Sequence, residues 1–150
     1  MTTERDVRTH FSFHPPEGDG GAWRATLESL ERALREAFPE LSVGRRGSGV
    51  RGTTVLDFEI EPAPGVWVDG TAALTPPDYA YVVLIDVTAD EAAAFAVWLR
   101  DSFVPAPHLV RFASSLAMAN GAESPEPLPP GGGREAIGGL LRRHLEAFDH

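Results

Sequence analysis

The stretch Tyr79–Phe103 constrains the fold more than any other part of the chain. Its first nine residues, YAYVVLIDV, are apolar at both alternating sets of positions. Successive side chains of a strand point to opposite faces, so this pattern predicts a central strand that is covered on both sides. Thr88 and Glu91 then have the spacing of a helix-capping box. The apolar residues that follow at helical spacing are Ala92, Phe95, Ala96, Leu99 and Phe103. The stretch therefore predicts a buried strand followed by a packed helix.

Hydrophobic periodicity predicts the other elements. Strands are expected at 5–14, 50–61, 66–74 and 108–113, helices at 22–38 and 134–148, and a short helix at 114–120. Trp23 begins the apolar stripe of the first helix, and the glycine-rich segment 44–52 is expected to be a loop. The element order β-α-β-β-β-α-β-α predicts the α+β class, with a mainly antiparallel sheet of about five strands and two main helices on one face. This is a ferredoxin-like variant with an added C-terminal helix.

The chain divides into three predicted segments. Residues 1–122 are expected to form an α+β core domain. Residues 123–133, ESPEPLPPGGG, have the composition of an extended connector that cannot form a core of its own. Residues 134–150 are expected to form a helix that docks on the same domain, because Gly138 and Gly139 weaken that helix in isolation by roughly 1 kcal/mol each relative to alanine.

Composition excludes several classes of function. The chain has 150 residues, no cysteine and a formal charge of −9, and all 13 of its basic residues are arginine. The absence of cysteine excludes disulfides and thiolate zinc sites, and the absence of lysine excludes Schiff-base catalysis. The acidic balance disfavours nucleic acid as a partner and suits a basic protein. No apolar run approaches the 18 residues of a membrane span, and the charged N-terminus lacks a signal-peptide core, so a cytoplasmic location is expected.

Histidines and serines predict neither a metal site nor a cofactor nor a catalytic site. His10 and His14 share a strand face but lie about 13 Å apart at roughly 3.3 Å per residue, which is too far to chelate one ion. His144 is expected on the last helix, away from both. Ser114 precedes the short helix and is expected to cap it, because the chain contains no G-x-S-x-G motif for a nucleophile.

The candidate functional residues lie on the hairpin that turns at residues 62–65. They are Asp57, Glu59, Glu61, Trp67 and Asp69. Matching the apolar faces of the two strands predicts that Asp57 lies opposite Asp69, and Glu59 opposite Trp67. Like charges that face each other across strands are unfavourable. The pattern therefore leaves three interpretations: a solvated face, a protein-binding face anchored by Trp67, or a carboxylate pair for acid–base catalysis.

These observations favour a non-enzymatic, cytoplasmic protein-binding module. Its most concrete form is an immunity- or antitoxin-like inhibitor whose acidic sheet face attracts and occludes a basic protein partner. One alternative is a small-ligand or regulatory module that forms a homodimer through an open sheet face or edge. The other is a small enzyme that uses Asp57 and Asp69, which requires these carboxylates to converge in a concave site.

Overall fold

The computed structural model describes residues 7–47, 54–75 and 79–148. The strands are β1 (Thr9–His14), β2 (Ser42–Gly47), β3 (Thr54–Ala63), β4 (Val66–Thr75), β5 (Tyr79–Val87), β6 (Arg111–Ser114) and β7 (Glu126–Pro127). The helices are α1 (Leu27–Ala37), α2 (Ala89–Trp98), α3 (Ser115–Ala119) and α4 (Arg134–Phe148). A single π turn, Leu99–Phe103, extends α2, and a 3₁₀ turn, Pro107–Leu109, precedes β6.

The strands form one antiparallel sheet in the order β2-β3-β4-β5-β1-β6-β7. The α+β class and the antiparallel sheet are thus confirmed. The sheet has seven strands in the described residues rather than about five. The ferredoxin-like arrangement is not confirmed, because β2 to β5 form a simple meander and β1 joins its far side.

The edge strand β2 corrects the prediction of a loop at 44–52. Ser42–Gly47 pairs along its whole length with β3, while 48–53, including the predicted strand start at Val50, lie outside the described residues. All of its side chains are exposed except Val43, which is half-buried. An edge strand with so little burial shows no hydrophobic alternation, so only its pairing with β3 identifies it.

The core lies between one face of the sheet and the helices. Phe95 of α2 is fully buried and contacts Phe58 of β3 and Phe13 of β1, with ring centroids 5.9 and 5.8 Å apart. Trp98 at the end of α2 meets Phe38, just after α1, at 5.4 Å. Both main helices therefore lie against the same face of the sheet.

Helix α2 begins where the sequence predicts. Thr88 accepts a hydrogen bond from the backbone N–H of Glu91, and the Glu91 carboxylate accepts one from the backbone N–H of Thr88. This confirms the capping box. The helix is apolar on nearly all sides, because the sheet covers one side and α4 packs on another.

Helix α1 begins later than predicted. Thr26 and Ser29 form a reciprocal capping box, so the helix starts at Leu27 rather than near residue 22. Trp23 therefore precedes the helix, where it is buried and its indole N–H donates to the carbonyl oxygen of Leu109 at 2.6 Å. Its helical spacing from Leu27 was misleading, because Trp23 lies in the loop before the helix and packs into the core from there.

The last predicted strand and the two helices after it are all present. Ser114 ends β6 and accepts a hydrogen bond from the backbone N–H of Ala117, which confirms the predicted cap of the short helix. The predicted strand at 108–113 begins only at Arg111, because Pro107 initiates the 3₁₀ turn. The predicted C-terminal helix is present as α4 and buries Ile137, Leu141 and Leu145.

Candidate functional site

One face of the sheet carries no helix in the described part of the chain. On β3, Leu56, Phe58 and Ile60 point towards the helices and are buried, whereas Glu59 on the opposite face is exposed. The exposure is uneven, since Val55 at the other end of β3 is also buried. The exposed region is therefore the part nearest the β3–β4 turn, which we call the helix-free patch: Glu59, Trp67, Asp69 and Ile85.

The β3–β4 hairpin has a different register from the predicted one. Asp57 lies opposite Thr71, and Glu59 lies opposite Asp69. The predicted pairs Asp57–Asp69 and Glu59–Trp67 are wrong because the strands continue to Ala63 and Val66, which leaves a turn of only two residues. A bulge between Ile60 and Ala63 then adds one residue to β3 and sets the final register. Pro62 lies in this bulge, where its lack of an N–H costs no ladder hydrogen bond.

Asp57 is already paired within the protein. Its carboxylate accepts hydrogen bonds from Nε of Arg46 at 2.6 Å and from the hydroxyl of Thr71 at 2.7 Å. The bond from Arg46, followed by that from Thr71, lowers the pKa of Asp57 below its ordinary value. Asp57 therefore contributes little free negative charge to the face.

Glu61 is also engaged locally. Its carboxylate accepts a hydrogen bond from the backbone N–H of Gly65 at 2.8 Å, and Gly65 has a positive φ of 77°. Glu61 thus closes the hairpin turn, where glycine adopts the left-handed conformation without steric cost. Of the five residues singled out from the sequence, Glu59, Trp67 and Asp69 remain for recognition.

Glu59 and Asp69 form an uncompensated pair of like charges. They are direct cross-strand neighbours, and neither makes an ion pair or hydrogen bond with a side chain in 7–47, 54–75 or 79–148. On the next strand, Ile85 lies opposite Asp69 and is 39% exposed. Trp67, two residues before Asp69 on β4, is 46% exposed. The helix-free patch thus combines two unpaired carboxylates with two large apolar side chains.

A strained backbone position borders the patch. Asp86 has a φ of +52°, at an irregularity in the β1–β5 pairing, and its backbone N–H donates to Nδ1 of His10 at 2.9 Å. Nδ1 of His10 is therefore an acceptor, so the neutral imidazole carries its proton on Nε2. No local pattern indicates this contact, which joins residues 76 positions apart.

A serine, a histidine and a glutamate form a hydrogen-bonded chain on the opposite side of the sheet. Ser114 Oγ lies 2.9 Å from Nε2 of His144, and Nδ1 of His144 lies 2.7 Å from the carboxylate of Glu126. Sequence analysis missed this group because the three residues come from β6, β7 and α4, and no local motif joins them.

The three side chains are connected in the order of a catalytic triad, but the serine is not accessible to a substrate. Ser114 is only 1% exposed, and its Oγ already accepts the N–H of Ala117. Its backbone is extended, with φ −130° and ψ 151°, so it lacks the strained turn of a nucleophile elbow. A groove of about 560 Å³ beside His144 is lined by Phe112, Leu140 and Phe148, but Ser114 does not reach it. The arrangement therefore suits structural cross-linking better than nucleophilic attack.

Comparisons of the chain with protein-family models, curated proteins and solved structures give no match. In the part of the chain that the structure describes, every helix is too short or too polar to cross a membrane.

Proposed function

We propose that the chain is a non-enzymatic protein-binding module whose helix-free patch covers and blocks a basic protein partner, as an immunity or antitoxin protein does. The observation that carries this proposal is the exposure of Trp67 and Ile85 beside the unpaired carboxylates of Glu59 and Asp69. Tryptophan is enriched among the few side chains that dominate binding energy at protein interfaces. The patch therefore has both a candidate anchor and a candidate charge determinant.

Charge complementarity selects the kind of partner. The formal charge of −9 attracts a cationic protein over a long range and raises the rate of encounter. At contact, a cationic side chain placed between Glu59 and Asp69 would relieve their repulsion, because it can form charge-assisted hydrogen bonds with both carboxylates. A partner that presents arginine or lysine next to an apolar surface meets both requirements.

The same charges argue against a homodimer through this patch, and the hairpin register argues against the acid–base enzyme. A homodimer through this patch would bring Glu59 and Asp69 of two copies together near the symmetry axis, which opposes association. An acid–base enzyme was expected to use Asp57 with Asp69, but Asp57 lies opposite Thr71 and is bound by Arg46. A heterologous basic protein is therefore the occupant that the patch favours.

Site-specific cross-linking followed by kinetics tests the proposal. A photoreactive benzoylphenylalanine at position 85, within the patch, would be compared with one at Met118 of α3, which is 48% exposed. We expect the position-85 variant alone to capture a specific basic protein in cells. The association rate of that purified protein should fall with rising salt and fall several-fold in Glu59→Gln and Asp69→Asn, with Glu36→Gln on α1 as the matched control.

Equal capture at both positions would contradict the proposal. So would a captured partner whose association rate is insensitive to salt and to both substitutions.

A further inference from the structure

The last part of the chain has few backbone hydrogen bonds to the sheet, although it buries Leu128, Ile137, Leu141 and Leu145 in the core. We call residues 126–148 the C-terminal arm, which comprises β7, the segment 128–133 and α4. Its middle segment has no regular secondary structure, and β7 is only two residues long. The arm must therefore be held by side-chain contacts rather than by an extended ladder of backbone hydrogen bonds.

Arg100 makes the first attachment. It is 3% exposed, and its guanidinium donates to the carbonyl oxygens of Pro129, Gly131 and Gly132 at 3.2, 3.0 and 2.6 Å. Its remaining bonds go to the carboxylate of Asp101 at 2.7 and 2.9 Å. A buried cation with this many partners satisfies carbonyls that would otherwise be left without donors. Arg100 thus fixes the irregular middle of the arm.

His144 makes the second attachment. Its side chain is 4% exposed and its ring joins Ser114 on the core to Glu126 at the start of the arm. The ring also packs against Phe112 of β6, with centroids 5.0 Å apart. One side chain of α4 therefore links both ends of the arm to the sheet.

Between these points, α4 lies closely on α2. A Cβ added at Gly138 would stand 3.8 Å from Cβ of Ala93 and 2.6 Å from the carboxylate of Asp90, so glycine permits the approach of the two helices. Arg142 pairs with the same Asp90. The contact buries Ile137 and Leu141, but Gly138 and Gly139 lower the intrinsic stability of α4.

We propose that the C-terminal arm is a strap that opens and closes as one unit while the sheet stays folded, and that Arg100 and His144 are its two latches. Segments with few backbone links to the rest of a protein open at a lower free energy than its core strands. Opening bares the alanine-rich side of α2 that α4 covers. This inference does not depend on the binding function proposed for the opposite face of the sheet.

Amide hydrogen exchange of the full chain tests the strap. We expect amides of α4 to exchange through a common opening that is more frequent than the opening of β3 and β4. Arg100→Met and His144→Phe each remove one latch, and should speed exchange throughout α4 by about tenfold or more, since hydrogen bonds to charged groups have effects of this size. Phenylalanine keeps an aromatic ring between Phe112 and Phe148, so the His144 variant should fold even if Arg100→Met does not.

Exchange in β3 and β4 should remain within about twofold of the unmodified protein, and Arg143→Ala, an exposed change on α4, should alter neither region. The proposal is overturned if α4 and β4 exchange through the same opening in the unmodified protein. It is also overturned if the latch variants leave α4 unchanged or accelerate both regions equally.

Discussion

Glu59 and Asp69 lie directly opposite each other on neighbouring strands, on the face of the sheet that no described helix covers. Two carboxylates in this arrangement repel each other, and no described side chain provides a compensating cation. The free protein therefore carries a local destabilisation at the place where the proposed partner would bind.

Neutralising this pair should change stability and binding in opposite directions. We expect Glu59→Gln or Asp69→Asn to stabilise the free protein by roughly a few tenths of a kcal/mol, because the cross-strand repulsion is removed. The same substitutions should slow association with a basic partner. Urea denaturation at low and high salt measures the first effect, which should shrink as salt screens the charges. A loss of stability in both variants would show that the carboxylates do not repel each other in solution.

Trp67 should matter more for binding than for folding. With 46% of its surface exposed, Trp67→Ala should lower the urea midpoint only modestly, through the part of the ring that is buried. If Trp67 anchors the partner, the same change should weaken binding by about 2 kcal/mol, or roughly 30-fold. Met118→Ala, at an equally exposed position on α3, provides the matched control for calorimetric titration. Similar small effects of the two substitutions would remove Trp67 from the interface.

Gly70 in β4 should not tolerate a side chain. A Cβ at this position would lie 2.3 Å from the tip of the Phe58 ring, which packs over the glycine from β3. We therefore expect Gly70→Ala to destabilise the protein by about 1–3 kcal/mol through overpacking. Gly44→Ala on β2 meets no atom within 4 Å and is the matched control. Equal urea midpoints for the two variants would contradict this account of the glycine.

Asp57 should stabilise the folded protein at neutral pH and lose this effect in acid. Its hydrogen bonds from Arg46 and Thr71 hold its pKa in the folded protein below the ordinary value. The folded chain then binds fewer protons than the unfolded chain, so this stabilisation is fully present above about pH 4 and is lost as the pH falls through the folded pKa. Stability curves of the unmodified protein and Asp57→Asn should therefore converge in acid. Because Asp57 is partly exposed, the effect should also decrease with salt.

His14 should also make the folded protein less stable as the pH falls, but in a higher pH range than Asp57. Burial lowers the pKa of its imidazole, because the charged form is desolvated in the folded protein. The unfolded chain then binds the proton more readily, so stability falls as the pH drops below about 6.5. His14→Gln should flatten the stability profile in this range, as measured by thermal unfolding between pH 5 and pH 8. A steeper profile in the variant would reverse the sign of this assignment.

Local sequence patterns determined the helices and strands that are specified by residues close together in the chain. The Thr88–Glu91 capping box and the span of α4 were predicted correctly, because caps and apolar stripes act within a few residues. The alternation of Phe11 and Phe13 likewise identified β1 as a strand with one buried face. The hairpin that carries the five candidate residues was also predicted, although its register was not.

Tertiary structure alone decided how these elements meet. The two-residue turn and the bulge near Pro62 together placed Glu59 opposite Asp69, while Asp57 pairs with Arg46, so the charged residues fall into paired and unpaired groups. The Ser114–His144 contact joins positions 30 residues apart. Sequence periodicity reports which face of an element is apolar, but register and long-range hydrogen bonds depend on the packing of the whole chain, so no local pattern encodes them.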